Sequence, residues 1–258
     1  MASNNPDPKC GDDSPQSLLA ADDPSPFQII NPAGASSFLI ICDHAGNLIP
    51  EKLGNLGLGG DELTRHIAWD LGASQLSERL ANALDATLIR QTYSRLVVDC
   101  NRDPAAHDAI APVSDGTVIP GNQNLSDSDR AARFAEIHEP YHSAIAAALG
   151  NKTIVAVHSF TPAMNNFARP WEIGILHHLG NTDFALQVLA ALNERLGNTV
   201  GDNEPYAMDG IDYTVPRHAY PAGLPYLEVE VRQDILSTPE GQSRISDLLT
   251  TVLQNCRP

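Results

Sequence analysis

Two apolar runs in this chain each end on a histidine. Phe38-Leu-Ile-Ile-Cys42 leads into Asp43-His44-Ala-Gly-Asn47, and Thr153-Ile-Val-Ala-Val157 leads into His158-Ser159. An apolar run closed by turn residues reads as a buried strand. The carboxyl ends of strands are where open α/β sheets place ligands. Neutral imidazole is a good zinc ligand, and a catalytic zinc takes three protein ligands and keeps one position open for water. His44 and His158 are therefore a candidate pair of metal ligands. The third ligand stays open: Asn47 follows His44 by three residues but an amide carbonyl is a poor zinc ligand, which leaves the carboxylates of Glu51 and Asp70.

Glu228 and Glu230 alternate with apolar residues in Tyr226-Leu-Glu-Val-Glu-Val231. With a period of two both face the same side of a strand. Carboxylates in a core strand are expensive unless paired or catalytic, and a base beside an activated water is what amide hydrolysis requires. An exposed edge strand would carry the same alternation. Asp99-Cys-Asn101-Arg102-Asp103 closes another apolar run. An arginine there suits bidentate carboxylate binding, or pins a loop through an Arg–Asp pair. His138-Glu-Pro-Tyr-His142 matches the two-histidine helix pattern of zinc peptidases. Pro140 lies inside it, and a proline there distorts the helix that would align the two rings.

The elements that must hold these residues alternate between helix and strand. A helix is predicted from Asp61 through Leu84, which puts His66 and Asp70 on one face. Strands are predicted over Ala86 to Gln91, Arg95 to Cys100, Trp171 to His177 and Tyr226 to Val231. Ser126 with Asp129 resembles a capping box that opens a helix running to Leu149, where Gly150 stops it. Further helices are predicted over Thr182 to Leu196 and Pro239 to Asn255, and long polar loops over Asn101 to Gln123, Phe160 to Pro170 and Gly201 to Pro225. The class is α/β with a mixed, largely parallel sheet flanked by helices.

A chain of 258 residues can bury a substantial core. Residues 1–25, rich in Asp, Asn, Pro and Ser, read as a disordered acidic tail, and residues 26–258 as a single catalytic domain. The net charge of −16 argues against binding to nucleic-acid backbone. No run reaches membrane-spanning length and no signal peptide is legible, so the expected setting is cytoplasmic. Cys10, Cys42, Cys100 and Cys256 are spread without a pairing pattern, which fits reduced cysteines.

Taken in order, Asp43-His44-Ala-Gly-Asn47, His66-Ile-Ala-Trp-Asp70, Tyr93-Ser-Arg-Leu-Val-Val-Asp-Cys-Asn-Arg102, Val157-His-Ser-Phe-Thr-Pro162 and Gly223-Leu-Pro-Tyr-Leu-Glu-Val-Glu-Val-Arg-Gln-Asp234 resemble the N-formylglutamate amidohydrolase family. The resemblance implies a three-layer, phosphorylase/hydrolase-like fold related to zinc carboxypeptidases. It implies Zn(2+) on His44 and His158 and favours Asp70 as the third ligand, since Asn47 stands where the related peptidases carry Glu. It implies Glu230 as catalytic base, with Arg102 steadying the developing charge or, with Asn101, the substrate carboxylate. Arg95, Arg169, Arg217 and His218 complete the substrate-binding candidates. The implied reaction is hydrolysis of the N-acyl bond of a small N-acyl amino acid such as N-formyl-L-glutamate, giving formate and the free amino acid. The alternatives are a carboxypeptidase-like peptidase and a non-catalytic metabolite binder.

Overall fold

A computed structural model describes residues 17–256. Its frame is a seven-stranded sheet of order β1-β3-β2-β6-β11-β9-β10. The strands are β1 (Phe27–Ile30), β2 (Phe38–Cys42), β3 (Thr87–Gln91), β6 (Thr153–Phe160), β9 (Ile173–Leu176), β10 (Val200–Asp202) and β11 (Tyr226–Arg232). Two short hairpins stand off it, β4 (Val113–Ser114) with β5 (Thr117–Val118) and β7 (Ala163–Met164) with β8 (Phe167–Ala168). In the sheet, β1–β3 and β9–β11 are antiparallel and the remaining pairs are parallel. Strands covered on both faces need apolar residues on both, which is why β2 and β6 read as unbroken apolar runs rather than alternating ones.

Helices cover both faces. Leu76 and Leu80 of α1 (Ala73–Leu84), Phe184 and Val188 of α4 (Asp183–Leu196), and Leu249 and Val252 of α7 (Pro239–Asn255) pack on one face against Val155, Val157, Val229 and Val231. On the other face, α3 (Glu139–Leu149) contributes Tyr141 and Ile145 against Leu39, Ile41, Ile154 and Ala156. The short helices are α2 (Asp127–Arg133), α5 (Thr214–His218) and α6 (Gln233–Leu236). The result is the expected mixed, largely parallel α/β sheet between helical layers. In the central strand β11, Leu227, Val229 and Val231 serve the first face, so Glu228 and Glu230 fall on the second. Both of its edges are paired, to β6 and to β9, which removes the edge-strand reading of that alternation.

Several predicted elements come out differently. The helix predicted from Asp61 begins only at Ala73; before it lie a single 3₁₀ turn at Glu62–Thr64 and a run of turns through Asp70. His66 and Asp70 therefore share no helix face. Gly72, at φ +81°, gives the sharp entry to α1, in a conformation that glycine adopts without steric cost. Arg95–Cys100 is buried turn rather than strand. Its backbone is satisfied irregularly, with Arg95 N–H donating to Ala68 O (3.2 Å) and Asp99 N–H to Ala109 O (2.7 Å). The predicted helix over 126–149 is capped as expected, Ser126 Oγ accepting from Asp129 N–H at 3.1 Å, but a π-turn at Phe134–His138 interrupts it. That irregular turn sits next to Pro140, whose missing N–H breaks the regular ladder.

Of the tail predicted to be disordered, residues 1–16 lie outside the described residues, as does Cys10. Residues 17–25 instead lie against the domain. Leu18 is buried, and Glu136 in the π-turn accepts from Ser17 Oγ (2.7 Å), Leu18 N–H (2.5 Å) and Leu19 N–H (2.9 Å). Cys42, Cys100 and Cys256 are free thiols, the first two buried. No helix among the described residues is long and apolar enough to cross a membrane.

Candidate active site

The carboxyl ends of β2, β6 and β11 meet in a cavity of about 220 Å³ lined by His44, Asp70, His158 and Glu230 among others. His44 stands just past β2. Two residues later the chain presses against β3 so tightly that a Cβ at Gly46 would lie 2.0 Å from Thr92 O, so only glycine permits the turn. The loop before α1 is tied to it, Asp70 N–H donating to His44 O at 2.9 Å. His158 comes from within β6, in register with Glu230 of β11. Glu230 in turn faces Gly174 of β9, where a Cβ would lie 1.9 Å from Glu204 O.

Both histidines point Nδ1 at one carboxylate oxygen. Asp70 Oδ2 lies 2.9 Å from His158 Nδ1 and 3.4 Å from His44 Nδ1. The ligand atoms of His44, Asp70 and His158 all lie within 4.8 Å of one another, close enough to share one metal ion. Each Nε2 faces a second carboxylate: His44 Nε2 is 2.7 Å from Asp99 Oδ1, and His158 Nε2 is 3.3 Å from Asp43 Oδ2. A carboxylate on the far nitrogen fixes the tautomer and orientation of a metal-binding imidazole and raises its basicity. The donor set of two imidazoles and one carboxylate therefore fits zinc.

Burial opposes ionisation of Asp99, but Arg95, His44 and Arg102 outweigh it and hold the carboxyl well below its ordinary range. Asp99 Oδ2 accepts from Arg95 Nε (3.0 Å) and Nη2 (2.6 Å). Glu230 behaves in the opposite way: burial, with Asp70 and Asp212 adding repulsion, pushes it up to about 8 despite the attraction of His158. A carboxyl balanced near neutrality can both take and return a proton.

The remaining predicted residues fall into distinct places. Arg95 and Arg102 both line the cavity. Arg95 is committed to Asp99; Arg102 gives Nε to Asp108 (3.2 Å) and Nη1 to the Asn101 carbonyl (2.9 Å). Asn101 also lines the cavity but is tied down, Oδ1 accepting from the N–H groups of Tyr213 and Thr214 (2.9 Å each) and Nδ2 donating to Asp212 (3.0 Å). Arg169 is buried behind the wall, its guanidinium over the rings of Phe160 and Tyr206 and bonded to Thr161. His218 is outside the cavity lining, with Nε2 3.0 Å from His142 Nδ1, and Arg217 pairs with Glu139. The alternatives for the third ligand are elsewhere: Asn47 Nδ2 donates to Leu63 O (3.0 Å), and Glu51 is exposed on a 3₁₀ turn.

The histidines of the helix pattern are spent on backbone. His138 Nε2 meets Arg102 O (3.2 Å) and His142 Nε2 meets Cys100 O (2.9 Å). A carbonyl accepts only from N–H, so His142 carries its proton on Nε2 and accepts at Nδ1 from His218 Nε2–H. No nitrogen of His142 is left for a metal, and the cluster instead braces the Cys100–Arg102 turn.

The sequence profile of N-formylglutamate amidohydrolases matches residues 36–237. The chain belongs to the N-formylglutamate amidohydrolase family. Among solved structures it resembles a gene product of Agrobacterium tumefaciens at 34% identity, with a TM-score of 0.88, over 92% of this chain and 97% of that one. It shares its fold with the N-formylglutamate amidohydrolase of Ralstonia eutropha JMP134 at 20% identity, with a TM-score of 0.68, over 90% of this chain and 97% of that one. No curated protein sequence matches it. As a member of an amidohydrolase family it is placed among enzymes acting on small molecules. Sequence reasoning missed the roles of Asp43 and Asp99 behind the imidazoles, and of Asp212 and Tyr206 in the cavity wall. Asp43 adjoins His44 and Asp99 adjoins the Asn-Arg pair, so adjacency was a usable signal for those two; Asp212 and Tyr206 sit in a polar loop that carries none.

Proposed function

We propose that this protein is a zinc-dependent amidohydrolase that cleaves the N-acyl bond of a small N-acyl amino acid, with N-formyl-L-glutamate the first substrate to try because it names the family. The observation that carries the reading is the convergence of His44 Nδ1 and His158 Nδ1 on Asp70, with a carboxylate facing each Nε2. His44, Asp70 and His158 would hold the metal, and a metal there supplies Lewis-acid polarisation of the acyl carbonyl and a more acidic water.

The chain's own groups account for the rest. Asp43 and Asp99 keep the imidazoles oriented. Glu230 takes a proton from the attacking water as its oxygen adds to the acyl carbon. It returns that proton to the amide nitrogen as the C–N bond breaks. The products are the carboxylic acid, formate for a formyl substrate, and the free amine. Arg102, whose Nη2 donates to no acceptor among the described residues, receives the substrate carboxylate. Buried positioning of this kind lets a proton transfer contribute roughly 10²–10⁴-fold.

Glu230→Gln tests the assignment. It should retain the wild-type zinc content while kcat falls by roughly 10²–10⁴-fold. Turnover within a few-fold of wild type removes Glu230 as base. Purification without zinc, together with no response to added zinc, removes the metal reading.

A further inference from the structure

Glu228 has no part in the chemistry above, yet it is among the most deeply buried carboxyls in the chain. It is 2% exposed, lines the same cavity as Glu230 from two residues earlier on the strand, and its Oε2 has no hydrogen-bond partner. Asp212 lines the cavity beside it, oriented by Asn101 Nδ2 at 3.0 Å. Burial first, then repulsion from Asp212 and Glu230, raises Glu228 well above the carboxylate range. The cavity thus has one acidic wall. The arginines stand at Arg95 and Arg102, and both are engaged by other carboxylates, Arg95 by Asp99 and Arg102 by Asp108.

An unpartnered carboxyl in a core strand costs stability that an apolar residue would not. A ligand cation placed there gives it a partner. A singly anionic side-chain arm such as that of glutamate would instead meet like charge. We propose that Glu228 and Asp212 form a subsite for a cationic group on the substrate, so that the preferred substrates are N-acyl derivatives of amino acids with a basic side chain. The substrate then spans the cavity as a zwitterion, its carboxylate on Arg102 and its side-chain cation on Glu228 and Asp212. This inference rests on the amidohydrolase reading for the bond cleaved, but the subsite can be tested without turnover.

The experiment compares matched ligands that differ only in the side-chain charge. Hydrolysis of N-formyl-L-lysine, N-formyl-L-norleucine and N-formyl-L-glutamate is measured as kcat/KM on the zinc-loaded enzyme. Binding of L-lysine and L-norleucine, the corresponding amine products, is measured by calorimetry on the same protein. Hydrogen bonds to a charged group predict a lysine-over-norleucine preference of roughly ten- to hundred-fold in both readouts. The preference should collapse toward parity in Glu228→Gln and shrink in Asp212→Asn, each ratio correcting for general loss of activity. Equal binding of lysine and norleucine, a preference for glutamate, or a ratio untouched by Glu228→Gln overturns the subsite while leaving the hydrolase reading intact. A lysine preference in binding with no hydrolysis of any of the three upholds the subsite and sinks the hydrolase reading.

Discussion

Asp99→Asn is the most informative single change at the proposed metal site. The carboxylate takes up four donors: His44 Nε2 at 2.7 Å, Asn101 N–H at 2.9 Å, and Arg95 Nε and Nη2 at 3.0 and 2.6 Å. An amide of the same shape keeps one acceptor and turns an NH₂ toward the others. If the carbonyl oxygen stays on His44, two donors of Arg95 face a donor; if it flips to Arg95, His44 loses its anchor. Breaking a fully buried ion pair costs about 3–5 kcal/mol. Arg95 is 25% exposed, so water takes up part of the loss and about 1–2 kcal/mol is the expected destabilisation. For a chain of this size that is a Tm drop of roughly 2–8 °C. The separate effect on the imidazole should weaken zinc by roughly 10–100-fold. Competition against a chromophoric chelator measures the affinity, and thermal unfolding of the zinc-free protein measures the stability. A zinc affinity within twofold of wild type would refute the idea that Asp99 positions His44.

Other expectations can be checked alongside. His138→Gln should leave zinc content at the wild-type level, because that side chain serves the Arg102 carbonyl; loss of metal would return the helix pattern to consideration. Ile40→Ala, at a fully buried position in central β2, should cost about 2–5 kcal/mol, read as a shift in denaturant midpoint at constant m. Burial lowers His142 to about 3 and His218 to about 4. The folded state thus refuses protons that the unfolded state accepts below an ordinary value near 6.5. Their stabilisation is complete above that pH and is lost on acidification towards 4, at up to about 1.4 kcal/mol per pH unit for each ring. His218→Asn should therefore flatten the stability slope between pH 6.5 and 4 relative to wild type. Parallel slopes for the two proteins would show that His218 titrates normally.

The strands were legible where a parallel sheet forces continuous apolar sequence, as in β2 and β6, and where period two survives in β11. Helices α4 and α7 were legible from their period and their Gly197 and Pro239 signals. Leu96-Val-Val98 misled for a physical reason: burial demands apolar residues whether the backbone is extended or turned. What decides between the two here is that Ser94 and Asp99 draw their partners from Ala68 and Ala109 rather than from a neighbouring strand. The turns from Arg65 to Asp70 were hidden in the same way, since Leu63, Ile67 and Leu71 keep near-helical spacing while Asp70 is tied to His44. His44, His158, Asp70 and Glu230 could be named because strand ends and family order mark them. His218 and Arg169 were chosen on residue type alone, and type does not reveal that one bonds to His142 and the other lies beneath Phe160 and Tyr206.

The position of β11 has a bearing on how the protein is made. It is the last strand in the chain, yet it lies between β6 and β9 rather than at a margin. Until residue 232 has left the ribosome, the sheet exists at most as two fragments, each with an open flank of unpaired backbone. Such flanks are the sites at which nascent chains pair wrongly or aggregate. Insertion of this one strand closes both flanks and brings Glu230 opposite His158 in the same movement. A nascent or C-terminally truncated chain can thus contain His44, Asp70 and His158 and still lack Glu230 beside them, so the proposed site is assembled only with completion of the sheet.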